Sequence, residues 1–145
     1  MQVVVQRVTS ARVHVAGDVV GEIGPGILAL VGIAEGDDTP QLEWMARKIS
    51  KLRIFPDDHG KFDRSLLDTG GALLSVSQFT LLADVSKGTR PSFTKAAAPT
   101  VAQLAWEQFN ELVRSHGVHV ATGVFGASMQ VELVNDGPVT IQLER

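Results

Sequence analysis

The chain is expected to fold as one α/β domain over residues 1–145, with mixed β-sheets and two helices packed on one side. Three observations carry this expectation. Short runs that alternate apolar and polar residues, the mark of half-buried strands, open and close the chain. Two runs, "ILALVGIA" (27–34) and "ALLSVSQFTLLA" (72–83), are apolar on both faces, as strands covered on both sides must be. Two stretches repeat apolar residues at about 3.6-residue spacing, which builds one greasy helix face.

In chain order, "VVVQRV" (3–8), "RVHVA" (12–16) and "VVGEI" (19–23) read as short strands. Gly17-Asp18 is a plausible hairpin turn between the last two. Gly24-Pro25-Gly26 interrupts the chain before the buried strand at 27–34. Thr39 then suits a helix N-cap and Pro40 a first helical residue. Leu42, Met45, Ala46, Ile49 and Leu52 form that helix's apolar stripe. "LRIF" (52–55) reads as a strand or the helix end, and the turn formers of 56–71 as a hairpin or long loop. A strand at 72–83 follows, then a helix over 99–116 with Val101, Leu104, Ala105, Phe109, Leu112 and Val113 on its stripe. Gly117 is a natural stop. Strands near 118–122, 128–134 and 139–144 finish the chain, the last two joined by an Asn-Asp-Gly hairpin turn.

The 145 residues are enough for one domain with a real core, and 44% apolar with 20% charged residues is an ordinary globular composition. No apolar run reaches the roughly 18 residues of a membrane span. "MQVVVQRV" lacks the basic start and long apolar core of a signal peptide. With no cysteine, disulfides, thiolate zinc sites and cysteine nucleophiles are excluded. A cytoplasmic protein is expected. The net charge of −3 is the wrong sign for a chain that grips nucleic acid over its whole surface. "KGTRPSFTK" (87–95) is locally basic, with Lys87, Arg90 and Lys95 and no acid. It suits either a solvated loop or contact with an RNA end.

Conventional catalytic patterns are missing. His14, His59, His116 and His119 are scattered, and no carboxylate pattern completes a metal site, so neither metal nor cofactor is expected. Asp37-Asp38 and Asp57-Asp58 lie among turn formers. "GEIGPG" (21–26) has neither phosphate-loop nor dinucleotide spacing. "SVSQFTL" places Ser75, Ser77 and Thr80 in an apolar run. Such hydroxyls either find hydrogen-bond partners within a buried strand or face a ligand at a strand end. A threonine nucleophile would need a base, and no obvious one is present. In "VNDGPVT" (134–140) the proline is more than a plain turn requires, because proline cannot donate to a ladder.

Taken together, "QRV" (6–8), "SQFTL" (77–81), "RPSF" (90–93) and "NDGPVT" (135–140) resemble the D-aminoacyl-tRNA deacylase family from first strand to last. The resemblance implies a homodimer with a cross-subunit active site. It would hydrolyse the ester of D-aminoacyl-tRNA, act on mischarged glycyl-tRNA, and use no DNA or membrane. It implies a catalytic segment of Ser77, Gln78, Phe79 and Thr80. It implies a cis Gly137-Pro138 pair that enters the partner's site and rejects L-amino acids. Arg7 would orient that pair, and Phe125 and Gly126 would lie near the aminoacyl group. Backbone carbonyls would hold the substrate's ammonium, and the tRNA 2′-hydroxyl would assist hydrolysis. Lys87, Arg90 and Lys95 would hold the acceptor end. Two alternatives stand beside this reading: a noncatalytic tRNA-end or amino-acid-binding module, and an esterase, either generic or with Thr80 as nucleophile.

Overall fold

A computed structural model describes residues 1–145. Its elements in order are β1 (Gln2–Val15), β2 (Asp18–Ile23), β3 (Gly26–Gly32), α1 (Thr39–Ser50), β4 (Phe55–Pro56) and β5 (Phe62–Arg64). Then come α2 (Leu66–Thr69), β6 (Ala72–Ser77), a 3-10 turn (Phe79–Leu82), α3 (Pro99–Ser115), β7 (Val120–Thr122) and β8 (Gln130–Glu144). No helix is long and apolar enough to cross a membrane.

The main sheet runs β2-β1-β3-β6-β7, and β8 also pairs with β1. β1 is antiparallel to β2, β3 and β8, whereas β3, β6 and β7 are parallel neighbours. The sheet is therefore mixed. Parallel pairs need crossovers, and the chain between β3 and β6 includes α1, while that between β6 and β7 includes α3. α1 and α3 cover one face. Val3, Val5, Ile27, Val31 and Leu73 from the sheet meet Leu42, Met45, Ile49, Phe109 and Val113 from the helices in one core. Burying a side chain of this size contributes about 1.5–3 kcal/mol. The other face holds a smaller core of Val8, Ala11, Val13, Ile23, Leu28, Leu74 and Val76.

Several local expectations are corrected by long-range pairing. The strands read at 3–8 and 12–16 are one continuous β1, because β8 pairs along nearly its whole length. The turn after it is Ala16-Gly17, between the paired Val15 and Asp18, with φ of +52° and +93°. A two-residue turn of this kind needs positive φ at both positions. The N-cap of α1 is Asp38, not Thr39, and its side chain makes no cap hydrogen bond. Leu52–Ile54 is irregular rather than strand. The 56–71 stretch forms the β4-β5 ribbon and then α2, closed by a Ser65–Asp68 capping box.

The buried strand read at 72–83 stops at Ser77. Gln78 still donates to Val31 O at 2.7 Å, but Leu81 and Ala83 turn back onto Gln78 O and Thr80 O. In α3 the stripe is rotated from the expected phase. Val101 and Leu104 are 54% and 69% exposed, and Ala102, Trp106 and Asn110 face inward instead. On the inward face the indole of Trp106 donates to buried Ser75 Oγ at 2.9 Å. Finally, 128–134 and 139–144 are not two strands of a hairpin. Both belong to β8 and continue in one direction along β1.

Candidate active site

β6 ends beside the start of α3, and a cavity of about 630 Å³ opens there. Ser77, Gln78 and Phe79 line one side, Phe93 and Ala96–Pro99 another, and Phe125, Gly126, Ala127 and Met129 a third. None of the lining side chains is ionisable. The wall is thus apolar with a few neutral polar groups, which suits orienting a ligand more than moving its protons.

The 3-10 turn shapes the polar side. Its first internal donor is Leu81, so the N–H groups of Phe79 and Thr80 precede the ladder and have no intrahelical acceptor. The Phe79 ring is about half exposed and meets Phe93 edge-on, with centroids 4.9 Å apart. Thr80 does not line the cavity. Its hydroxyl accepts a hydrogen bond from Gln78 Nε2. Trp106 stands beside Phe125 with ring centroids 6.1 Å apart, so its bond to Ser75 ties the cavity floor to the strand. The sequence reading gave Trp106 no role. The available signal was that a buried indole N–H must find an acceptor, and Ser75 was the buried hydroxyl in need of a partner.

The basic loop joins the same rim. Asp84 and Ser92 exchange backbone hydrogen bonds of 2.7 and 2.9 Å, and Ala34 bridges to Ala96. Hydrogen bonds from Ser86 hold the Asp84 carboxyl below its ordinary range, with a smaller contribution from Lys95. Lys87, Arg90 and Lys95 are exposed and form no ion pair. The loop ends in Phe93 and Ala96–Ala98, which line the cavity.

The Gly137-Pro138 segment lies elsewhere. Asn135 pairs with Val8 and Thr140 with Gln6, so the residues between them, 136–139, all oppose Arg7 alone. The excess chain leaves the ladder as a bulge. Arg7, 7% exposed, holds it from beneath. Its Nε lies 3.0 Å from both Asp136 O and Asp136 Oδ2, and Nη1 donates to Ile54 O at 2.6 Å. Its guanidinium also sits 5.5 Å over the Phe62 ring centroid. Asn135, to which the sequence reading assigned no role, clamps the base of the bulge. Its Oδ1 accepts from Val139 N at 2.8 Å and its Nδ2 donates to Val139 O at 3.3 Å.

Gly137 and Pro138 are exposed, and the peptide bond joining them is cis. Gly137 has φ +133°, and a Cβ there would stand 2.8 Å from Val139 Cγ2 and 3.1 Å from Arg7 Nη2. Neither Arg7 nor the Gly-Pro pair lines the cavity of its own chain. From β8 to β6 are three strand spacings, and Arg7 is level with Leu73, four residues before Ser77. That places the bulge about 20 Å from the cavity mouth.

The molecule is thus an α/β fold with a neutral cavity at a strand end and a separate backbone bulge held by Arg7 and Asn135. Comparison with known proteins gives the family. The sequence model of D-Tyr-tRNA(Tyr) deacylase matches residues 4–144. A D-aminoacyl-tRNA deacylase of Thermomicrobium roseum is 57% identical over 144 residues, 99% of this chain and 94% of that protein. One of Pelobacter propionicus is 55% identical over the full length of both. Among solved structures, a "c-Myc DNA Unwinding Element Binding Protein" aligns with TM-score 0.94 and 44% identity, covering 100% of this chain and 99% of that one. A "probable eukaryotic D-amino acid tRNA deacylase" shares the fold at TM-score 0.83 and 18% identity, covering 98% of this chain and 97% of that one. The chain belongs to the D-Tyr-tRNA(Tyr) deacylase family, and it is an enzyme, a hydrolase.

Proposed function

We propose that this protein hydrolyses the ester of D-aminoacyl-tRNA to free D-amino acid and tRNA, and that it accepts glycyl-tRNA as well. Family membership supports the substrate class. The observation that carries the mechanism is a cavity with no ionisable side chain in its wall. Such a site holds no general base for a protein nucleophile. The attacking species is then water, and the ribose 2′-hydroxyl beside the ester assists it. Water adds to the carbonyl carbon, the bond to the ribose oxygen breaks, and that oxygen leaves with a proton. Holding ester, hydroxyl and water together supplies orientation. The free N–H group of Phe79, on the cavity wall, stabilises the oxyanion, that of Thr80 beside it contributes as the substrate seats against the turn, and Ser77 and Gln78 orient the acyl end. Phe125 and Gly126 flank the aminoacyl group. Lys87, Arg90 and Lys95, beside the mouth, attract the acceptor end.

Chiral selection belongs to Gly137-Pro138 of a second copy, in a homodimer. The distance of the bulge from its own chain's cavity supports a cross-subunit arrangement, since one chain alone cannot bring the two together. Backbone carbonyls of the bulge accept hydrogen bonds from the substrate's ammonium group. With ammonium and ester both held, one of the two remaining directions at Cα is filled by backbone. An L side chain clashes there, a D side chain points away, and glycine has nothing to clash.

The test is release of free amino acid from D-aminoacyl-tRNA, from the same tRNA ending in 2′-deoxyadenosine, and from a simple D-amino-acid ester. The expected order is rapid release from the first and loss of about 100-fold or more for the deoxy substrate, the size of a lost acid–base contribution. Thr80→Ala keeps substantial activity. A trapped acyl-enzyme that disappears in Thr80→Ala would instead make Thr80 the nucleophile. Binding without turnover would make the protein a noncatalytic module. Equal rates on the simple ester would make it a generic esterase.

A further inference from the structure

A second hollow, of about 400 Å³, lies at the C-terminal end of α1. Trp44, Arg47, Lys48, Lys51, Leu52 and Arg53 line it, and no carboxylate does. Four of the chain's 13 lysines and arginines thus gather in one place on a protein of net charge −3. The grouping follows from the helix. Leu42, Met45, Ala46 and Ile49 are buried, so Trp44, Arg47, Lys48 and Lys51 share the opposite stripe at i, i+3, i+4 and i+7. Cations in a last helical turn are favoured by the helix dipole, which accounts for one or two of them. It does not account for the cluster as a whole. Arg53 is held by Asp63, whereas Arg47, Lys48 and Lys51 take part in no ion pair. The Trp44 ring also carries Lys48 Nζ at 5.8 Å and the Arg145 guanidinium at 5.3 Å from its centroid. Three cations on one helical stripe, none of them in an ion pair, suit an anionic ligand.

A short path of contacts joins the hollow to the Gly-Pro bulge. Arg53 adjoins Ile54, whose carbonyl accepts from Arg7 Nη1 at 2.6 Å, and Arg7 Nε holds Asp136 O at 3.0 Å. The stripe from Trp44 to Lys51 spans about 10 Å of helix. A nucleic-acid strand presents a phosphate about every 3.4 Å of axis, so the stripe faces two or three of them.

We propose that Arg47, Lys48 and Lys51 bind backbone phosphates of the tRNA acceptor strand whose aminoacyl end lies in the partner subunit's cavity. The inference rests on the cross-subunit reading given above. The subunit that lends its bulge to the partner's site thereby also grips the incoming RNA. The basic loop of residues 87–95 holds the same strand from the subunit that owns the cavity.

The experiment replaces Arg47, Lys48 and Lys51 together with glutamine in the full-length protein, with Lys51→Glu as a second variant. All three side chains are exposed, so folding is checked simply by an unchanged melting temperature. Three probes are compared: D-aminoacyl-tRNA, the D-aminoacyl ester of adenosine, which keeps the 2′-hydroxyl but has no phosphate, and uncharged tRNA. Expected is a loss of about tenfold or more in kcat/KM on the tRNA substrate with the adenosine ester unaffected. Expected too is a slope of log Kd against log salt for uncharged tRNA shallower by about 2–3. Lys51→Glu weakens tRNA binding in the same direction. Equal losses on both esters, or an unchanged salt slope, would overturn the proposal. So would an unrelated DNA duplex competing as well as tRNA for the wild-type protein in a manner abolished by the triple variant. Failure of the wild type to hydrolyse either ester counts against the enzymatic reading alone, because binding of uncharged tRNA still tests the hollow.

Discussion

Gly137 is the residue on which the proposed selective element turns. Its φ of +133° and the two atoms waiting at its missing Cβ, Val139 Cγ2 at 2.8 Å and Arg7 Nη2 at 3.1 Å, leave no room for a side chain. A methyl there must push either Val139 out of its buried site or Arg7 off Asp136, and both movements shift the bulge. Displacing a positioning element by about 1 Å can cost on the order of 100-fold in rate. Gly137→Ala is therefore expected to lower kcat/KM on D-aminoacyl-tRNA by about that factor while the protein stays folded, as judged by its circular dichroism. Full activity in a folded variant would remove the bulge from the mechanism. The glycine was legible in the sequence because a Gly-Pro pair at a strand connection is unusual. The two clamps were not, since Arg7 and Asn135 reach it through space.

At the scale of elements, α2 shows how a four-residue helix survives. Ser65 Oγ accepts from Asp68 N at 3.3 Å, and Asp68 Oδ2 accepts from Ser65 N at 2.8 Å and from its hydroxyl at 2.6 Å. Gly70 closes the other end in the left-handed region, φ +66°. The Ser65 hydrogen bonds hold the Asp68 carboxyl below its ordinary value of 3.8. A carboxyl lowered by folding stabilises the fold above that ordinary value, and the contribution is lost as pH falls through the lowered one. Amide-exchange protection at Leu66–Thr69 should therefore be greater in the wild type than in Asp68→Asn at neutral pH. The difference should vanish in strong acid. A gap that persists there would mean the box acts without its charge. The segment looked like loop in the sequence because a helix this short has too few positions to show a period.

Across the whole molecule, the feature that matters is the roughly 20 Å between bulge and cavity. If each site takes its bulge from the partner, two differently disabled chains should complement. One chain carries Gly137→Ala and keeps its cavity. The other keeps its bulge and has the cavity filled by Ala127→Trp. Each alone should be inactive. A random mixture, dissociated and reassociated, should recover up to about a quarter of wild-type activity, since half the dimers are mixed and each has one intact site. No recovery in demonstrably mixed dimers would confine the site to a single chain.

Much of this protein could be read from its sequence alone. Periodicity disclosed α1 and α3, because burial on one face leaves its period in the chain whatever lies opposite, and unbroken apolar runs disclosed the buried strands. The motifs at 77–81 and 135–140 disclosed the family. Tertiary structure decided the rest. Asn-Asp-Gly has the local chemistry of a hairpin turn, yet β1 runs on past it and holds both flanks of β8, so the same residues become a bulge. Val101 and Leu104 fit a helical stripe as well as Trp106 does, and packing against the other elements of the core, with Ser75 as the indole's acceptor, chose between them. The cavity is assembled from Ile33 and from residues within 76–79, 93–102 and 125–131, segments that no local pattern connects. Local patterns report the energy of a residue against solvent and its own turn, whereas pairing and packing partners are set by contacts between residues distant in sequence.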